Sequence, residues 1–122
     1  SLSEEHRELL KARIRRTKWS AVYEDIALLV SNDTWLTRLT LVERRVGAGA
    51  PRTSGLHIEG VVRASRRDDS SESVMAFVQR LRDDEAFSKN FHEVKLSRMD
   101  WSSKSDSDLE FEIFCPIAIE DE

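Results

Sequence analysis

The 122-residue chain has one cysteine, Cys115, and no run of about 20 apolar residues. A single cysteine excludes an internal disulfide and a zinc site built from cysteines. Without a long apolar run, no segment of this sequence is predicted to span a bilayer as a helix, and its start does not have the pattern of a signal or transit peptide. Cys115 lies on the inward side of a predicted strand, so we expect a small buried hydrophobe there, not a nucleophile.

Excess positive charge is also lacking, because 19 Lys and Arg stand against 23 Asp and Glu for a net charge of −4. This balance disfavours general binding to nucleic-acid phosphates. The charge is uneven: residues 1–18 hold six basic and three acidic residues, whereas residues 105–122 hold seven acidic and no basic ones. Such asymmetry either orients a partner or only keeps the chain soluble.

The stretch 54–81 changes its apolar period from two to about three and a half, which predicts a strand followed by a helix. The strand face comprises Leu56, Ile58, Gly60, Val62 and Ala64, and the helix stripe comprises Val74, Phe77, Val78 and Leu81. Asp69 and Glu72 have the spacing of a capping box, so the helix is predicted to begin at Asp69 and to reach about residue 84.

Similar patterns predict the other elements. A first helix is expected over 3–30, with a projecting first half and a packed second half whose stripe is Trp19, Val22, Tyr23, Ile26, Leu29 and Val30. Strands are expected over 34–44, with Trp35, Leu39 and Leu41 on one face, over 90–101, with a bulge before Met99, and over 109–115. Residues 47–55 and 102–108 are predicted to be hairpin loops.

Helix, strand, strand therefore occurs twice. We predict an α+β fold, αββαββ, a circularly permuted ferredoxin-like arrangement with a four-stranded antiparallel sheet and two helices on one face. Short right-handed connections predict the sheet order third, fourth, second, first strand. The predicted organisation is a coil-like helix at 1–18, the ferredoxin-like domain at 19–117 and an acidic tail at 118–122.

Catalytic chemistry has little support in the sequence. His6, His57 and His92 are scattered, and none has a second ligand four residues away, so no metal site is predicted. The glycines of 47–55 do not match a phosphate-binding loop, and no cofactor or catalytic residue is predicted. The one candidate ligand site is an anion site at Arg63, Arg66 and Arg67, before the second helix; the alternative is that these arginines pair with nearby carboxylates.

The uncovered face of the predicted sheet carries many carboxylates and one aromatic residue, which disfavours single-stranded RNA. Apolar residues on that face could form a contact patch with a protein, or could be ordinary exposed hydrophobes. The candidate interface residues are Leu2, Leu9, Leu10 and Ile14 of the first helix and Leu36, Val42, Val61 and Phe114 of the sheet.

Several stretches resemble the PilN family of type IV pilus assembly proteins, which is related to the GspL-type secretion proteins. They are the helix at 19–30, Thr34-Trp35-Leu36-Thr37-Arg38-Leu39, Leu56-His57-Ile58-Glu59-Gly60, Ser73-Val74-Met75-Ala76-Phe77-Val78-Gln79-Arg80-Leu81, Ala86-Phe87-Ser88, Val94-Lys95-Leu96 and Phe111-Glu112-Ile113.

The resemblance implies a non-catalytic assembly module at the periplasmic face of the bacterial inner membrane, anchored by a membrane segment absent from this chain. Its implied partner is a PilO-like or PilN-like domain, in a homo- or heterodimer. The alternative function, from the arginines alone, is a sensor for a small ligand or anion.

Overall fold

The computed structural model describes residues 18–45, 52–91 and 93–117, together with the isolated Glu8. The elements in order are α1 (Trp19–Leu29), β1 (Thr34–Arg45), β2 (Arg52–Val62), a 3-10 turn (Arg67–Asp69), α2 (Ser70–Asp83), α3 (Glu85–Ser88), β3 (Lys95–Trp101) and β4 (Leu109–Pro116). The predicted coil at 1–18 with Leu2, Leu9, Leu10 and Ile14, and the tail at 118–122, lie outside the described residues except for Glu8 and Lys18.

The four strands form one antiparallel sheet in the order β1-β2-β4-β3. This is the predicted order, and the α+β fold with a ferredoxin-like arrangement is confirmed. β1 and β3 are the edges, and the connection from β2 through α2 to β3 skips β4, which lies between these two strands. Among the described helices, none has both the length and the apolar character needed to cross a membrane.

One hydrophobic core lies between the sheet and the helices. The predicted strand face and helix stripe meet there, and full burial of each large side chain contributes about 1.5–3 kcal/mol. The fully buried residues from these two elements are Leu56, Ile58, Val62, Val74, Phe77, Val78 and Leu81. α1 adds Val22 and Ile26, and β4 adds Phe111 and Ile113, so both αββ units share this core.

The starts of α1 and α2 differ from the predictions. Lys18 has φ −83° and ψ 89°, so α1 starts at Trp19 and the predicted helix is not continuous through Lys18. Asp69 precedes α2 as predicted, but its side chain makes no capping hydrogen bond, so the predicted capping box is wrong. The 3-10 turn before α2 gives Asp69 a helical backbone (φ −86°, ψ −8°), whereas a capping residue is normally extended.

The loop that was predicted to reach Gly55 ends earlier, because β2 already begins at Arg52. Gly55 is part of the strand, where the Phe114 ring of β4 lies over it: a Cβ at Gly55 would come within 2.7 Å of Phe114 Cζ. The ring packs on the Gly55 backbone in the space that a side chain would occupy. This packing compensates for the missing side chain and explains how a glycine is accommodated within the strand.

Both edge strands contain a bulge. The pairing register shifts between Leu96 and Arg98 in β3, as the apolar parity predicts, and between Leu36 and Arg38 in β1, which was not predicted. The extra residue in β1 reverses the faces of its first residues. Trp35 therefore lies opposite Val61 on the uncovered face. The prediction that Trp35 shares a face with Leu39 and Leu41 is wrong.

Candidate functional site on the uncovered sheet face

A row of four charged residues crosses the uncovered face of the sheet. Arg38 of β1 lies opposite Glu59 of β2, Glu59 lies opposite Glu112 of β4, and Glu112 lies opposite Arg98 of β3. From β1 to β3 the side chains are basic, acidic, acidic and basic. We call these four residues the charged row.

The two arginines reach their places through the two bulges. Arg38 directly follows the register shift after Leu36, and Arg98 directly follows the shift after Leu96. The local sequences are Leu36-Thr37-Arg38 and Leu96-Ser97-Arg98, so the two αββ units share a short sequence repeat as well as an architecture. In each unit the residue at the bulge carries a hydroxyl, and the arginine that follows faces a glutamate of the neighbouring central strand.

The charged row is held more tightly at β3 than at β1. Arg98 Nε donates to Glu112 Oε2 at 2.9 Å, and its other nitrogens lie 3.4 Å from Asp100 and 3.7 Å from Glu110. The Glu112 hydrogen bond raises the pKa of Arg98. At the other end, Arg38 Nε is 3.5 Å from Glu59 Oε2, and the Arg38 side chain is 71% exposed. The Arg38 contact is therefore the weak one.

Glu112 interacts with three neighbouring side chains, those of Glu59, Arg98 and His57. Its partial burial opposes ionisation, but its hydrogen bond with Glu59, the Arg98 guanidinium and nearby His57 outweigh that cost, so the pKa of Glu112 lies below its ordinary value. Glu112 is thus favoured as a carboxylate on the face of the sheet at neutral pH.

His57 lies beside the row, on the same face of β2 as Glu59. Its Nε2 is 3.5 Å from Glu112 Oε1, and the side chain is only 15% exposed. Nε2 itself is buried and has no hydrogen-bond partner within the part of the chain that the structure describes. One ligand atom from each of His57, Glu59 and Glu112 lies within 4.8 Å of the other two. The sequence analysis did not predict this group, because its members come from two strands. Only the register between β2 and β4 brings them together.

The candidate sheet residues of the interface fall into different environments. Val61 and Val42 are half-buried on the uncovered face, as predicted. Leu36 packs against the core instead, because the β1 bulge turns it to the helix side, so its prediction as a surface contact is wrong. Phe114 is on the uncovered face but only 5% exposed, so the expectation of an exposed ring is also wrong. The exposed aromatic side chain on this face is Trp35, which sequence parity assigned to the other side.

Arg63, the first of the three candidate anion ligands, is bound to a carboxylate of the chain itself. Its Nε and Nη2 donate to the two carboxylate oxygens of Asp108 at 2.6 and 3.0 Å. Arg66 is exposed, and the side chain of Arg67 lies outside the part of the chain that the structure describes. An anion bound at Arg63 would have to displace Asp108, so the geometry does not favour this site.

Cys115 is buried on the helix side of β4, as predicted. Burial raises the pKa of its thiol to about 12. Because the thiolate is the reactive form, we expect this cysteine to be unreactive in the folded chain.

Comparisons with known proteins identify no relative of this chain. No family model, no curated protein and no solved structure matches it.

Proposed function

We propose that this chain is a non-catalytic assembly module that pairs with a second domain of the same architecture in a type IV pilus or a related secretion machine. The machine and the periplasmic location come from the resemblance of the sequence to the PilN family. The observation that supports pairing is the outer edge of β1.

β1 presents 12 residues and pairs only with β2 among the described strands. Backbone groups along the free side of such a strand can bind a strand of another chain. Natural edge strands usually avoid this with charge, proline, a bulge or short length. β1 carries charged residues and a bulge between Leu36 and Arg38, but it is long, and no proline interrupts it.

Exposed apolar side chains flank this edge on both faces. Trp35 on the uncovered face is 52% exposed, and Leu41, which pairs with the core residue Leu56, is 40% exposed on the helix face. Large aromatic side chains are enriched at the centres of protein interfaces. A strand added to β1 would bury part of both side chains.

The charged row argues against direct face-to-face stacking of two copies. Because the order of basic and acidic residues is the same when read from either edge, a second row placed directly over it would set arginine against arginine and glutamate against glutamate. Like charges in contact are unfavourable. The β1 edge is therefore the better surface for self-pairing.

Molar mass measured by light scattering over a concentration series tests this proposal. We expect a concentration-dependent dimer. Trp35→Glu should raise its dissociation constant at least tenfold, because the new charge would be buried in the contact. The matched control is Trp101→Glu, since Trp101 is also a partly exposed tryptophan but lies on the opposite edge, β3.

Equal effects of the two variants would contradict the choice of β1. A chain that stays monomeric at all concentrations would contradict self-pairing. The heterodimer is then tested with the same two variants against a candidate partner domain of the αββαββ type.

A further inference from the structure

The group His57, Glu59 and Glu112 has the composition of a metal site. It offers one imidazole nitrogen and two carboxylates on the uncovered face of the two central strands. Imidazole and carboxylate together are common ligands of zinc and of similar divalent transition metals. We propose that these three residues bind a divalent transition-metal ion of the Zn²⁺ class, a property that does not depend on the proposed function.

The state of His57 Nε2 is the main argument. This nitrogen is buried without a hydrogen-bond partner among the described residues, although buried polar atoms nearly always have one. It faces Glu112 Oε1 at 3.5 Å. Ligand atoms about 2.0–2.1 Å from a tetrahedral Zn²⁺ stand about 3.3 Å apart. The His57–Glu112 pair therefore already has nearly the separation that a shared ion requires.

The backbone positions of the three residues are well defined. His57 and Glu59 are two residues apart on one strand and so face the same side, and Glu112 is the direct cross-strand partner of Glu59. All three ligand atoms lie within 4.8 Å of one another, so side-chain rotation without backbone movement can close the site. Three protein ligands would leave a fourth position open to water or another group.

The arginines of the charged row compete with such an ion. Arg98 is firmly bound to Glu112 at 2.9 Å through Oε2, which leaves Oε1, the oxygen facing His57, for the metal. Arg38 is 3.5 Å from Glu59 and mostly exposed, so it can move into solvent when the ion arrives. This competition makes a prediction that a purely structural ion-pair network would not: removal of Arg38 should strengthen metal binding.

Calorimetric titration of the full chain with Zn²⁺ tests the proposal. We expect one ion per chain, and a binding constant that falls more than about 100-fold in His57→Asn and Glu59→Gln. Arg38→Gln should increase the affinity. Co²⁺ in place of Zn²⁺ should give visible absorption bands that disappear in His57→Asn, a signature that does not depend on stability.

Two controls separate this site from adventitious binding. Glu110→Gln removes a carboxylate of the same face and strand that also contacts Arg98 but is not among the three ligands, and it should leave the affinity unchanged. The double variant His6→Asn, His92→Asn removes the other two histidines of the chain and should also bind normally. No binding by the unmodified chain, or equal loss in Glu110→Gln and Glu59→Gln, would overturn the proposal.

Discussion

The ring of Phe111 in β4 lies directly over Gly60, its cross-strand partner in β2, on the helix side of the sheet. A Cβ at Gly60 would stand 2.5 Å from Phe111 Cζ and 2.7 Å from the carbonyl oxygen of Trp35. Atoms do not approach so closely, so a larger residue here would force the Phe111 ring and the β1 backbone to shift. The arrangement mirrors Phe114 over Gly55 on the uncovered face, and β4 thus covers both glycines of β2.

We predict that Gly60→Ala lowers the free energy of unfolding by about 1–3 kcal/mol, because the methyl group would displace the Phe111 ring and the β1 backbone. Urea denaturation measures this change. The matched control is Val61→Ala, whose half-buried side chain lies on the other face and can shrink without a clash. A Gly60→Ala variant as stable as the unmodified chain would contradict the close approach.

The two ends of the charged row should contribute differently to stability. Arg98→Gln is expected to lower the melting temperature clearly, because it leaves Glu112, Glu110 and Asp100 without their shared cation. Arg38→Gln should change the free energy of unfolding by less than about 1 kcal/mol, as is usual for an exposed pair. Thermal unfolding at low and high salt measures both, and salt should reduce the effect of Arg98→Gln. Equal effects of the two substitutions would contradict the asymmetry.

Asp108 should add stability that depends on pH. The hydrogen bonds from Arg63 lower the pKa of Asp108 below its ordinary value. Since the folded state holds the carboxylate more strongly than the unfolded state, this stability is present above the unfolded pKa of about 4 and is lost as the pH falls through the lower folded value.

The difference in melting temperature between the unmodified chain and Asp108→Asn should therefore be largest near pH 7 and vanish in acid. Asp106→Asn, an exposed residue of the same loop, is the control and should have little effect at either pH. A difference that persists unchanged at pH 2 would show that Asp108 acts through packing and not through its charge.

Cys115 should be unreactive until the chain unfolds. Its thiol is fully buried and its pKa is raised to about 12, so almost no thiolate is available at neutral pH. A colorimetric disulfide reagent should label about one thiol per chain only in denaturant. Labelling of the native chain at the rate of the denatured one would contradict its burial. Cys115→Ser should cost about 1–3 kcal/mol, because a hydroxyl replaces an apolar contact, and Cys115→Ala is the control without a polar group.

The order of the elements was predictable from the sequence because each buried face has a clear period. Val74, Phe77, Val78 and Leu81 repeat at helical spacing and are all buried, and Leu56, Ile58 and Val62 alternate and are all buried. The chirality of connections then leaves one sheet order. The bulge in β3 was also predictable, because the apolar parity changes between Leu96 and Met99.

The bulge in β1 was not predictable in this way. Trp35 and Leu36 are adjacent and both apolar, so alternation alone cannot tell which one faces the core. The pairing of β1 with β2 decides it: Leu36 lies opposite Gly60 on the core side, and Trp35 is left in solvent. A shift of one residue exchanges the two faces of a strand, which is why the candidate contact residues were partly wrong.

The sequence by itself therefore determined the two longer helices, the four strands, the order of the strands in the sheet and the burial of Cys115, but not the short helix α3. Only the tertiary structure decided what meets on the uncovered face. Glu59 and Glu112 are 53 positions apart in the chain and adjacent in the sheet, with His57 beside them and an arginine at each end. Hydrophobic periodicity shows which side of each strand is buried. The neighbours of a residue on the exposed side depend on the register between strands, which the pattern of a single strand does not contain.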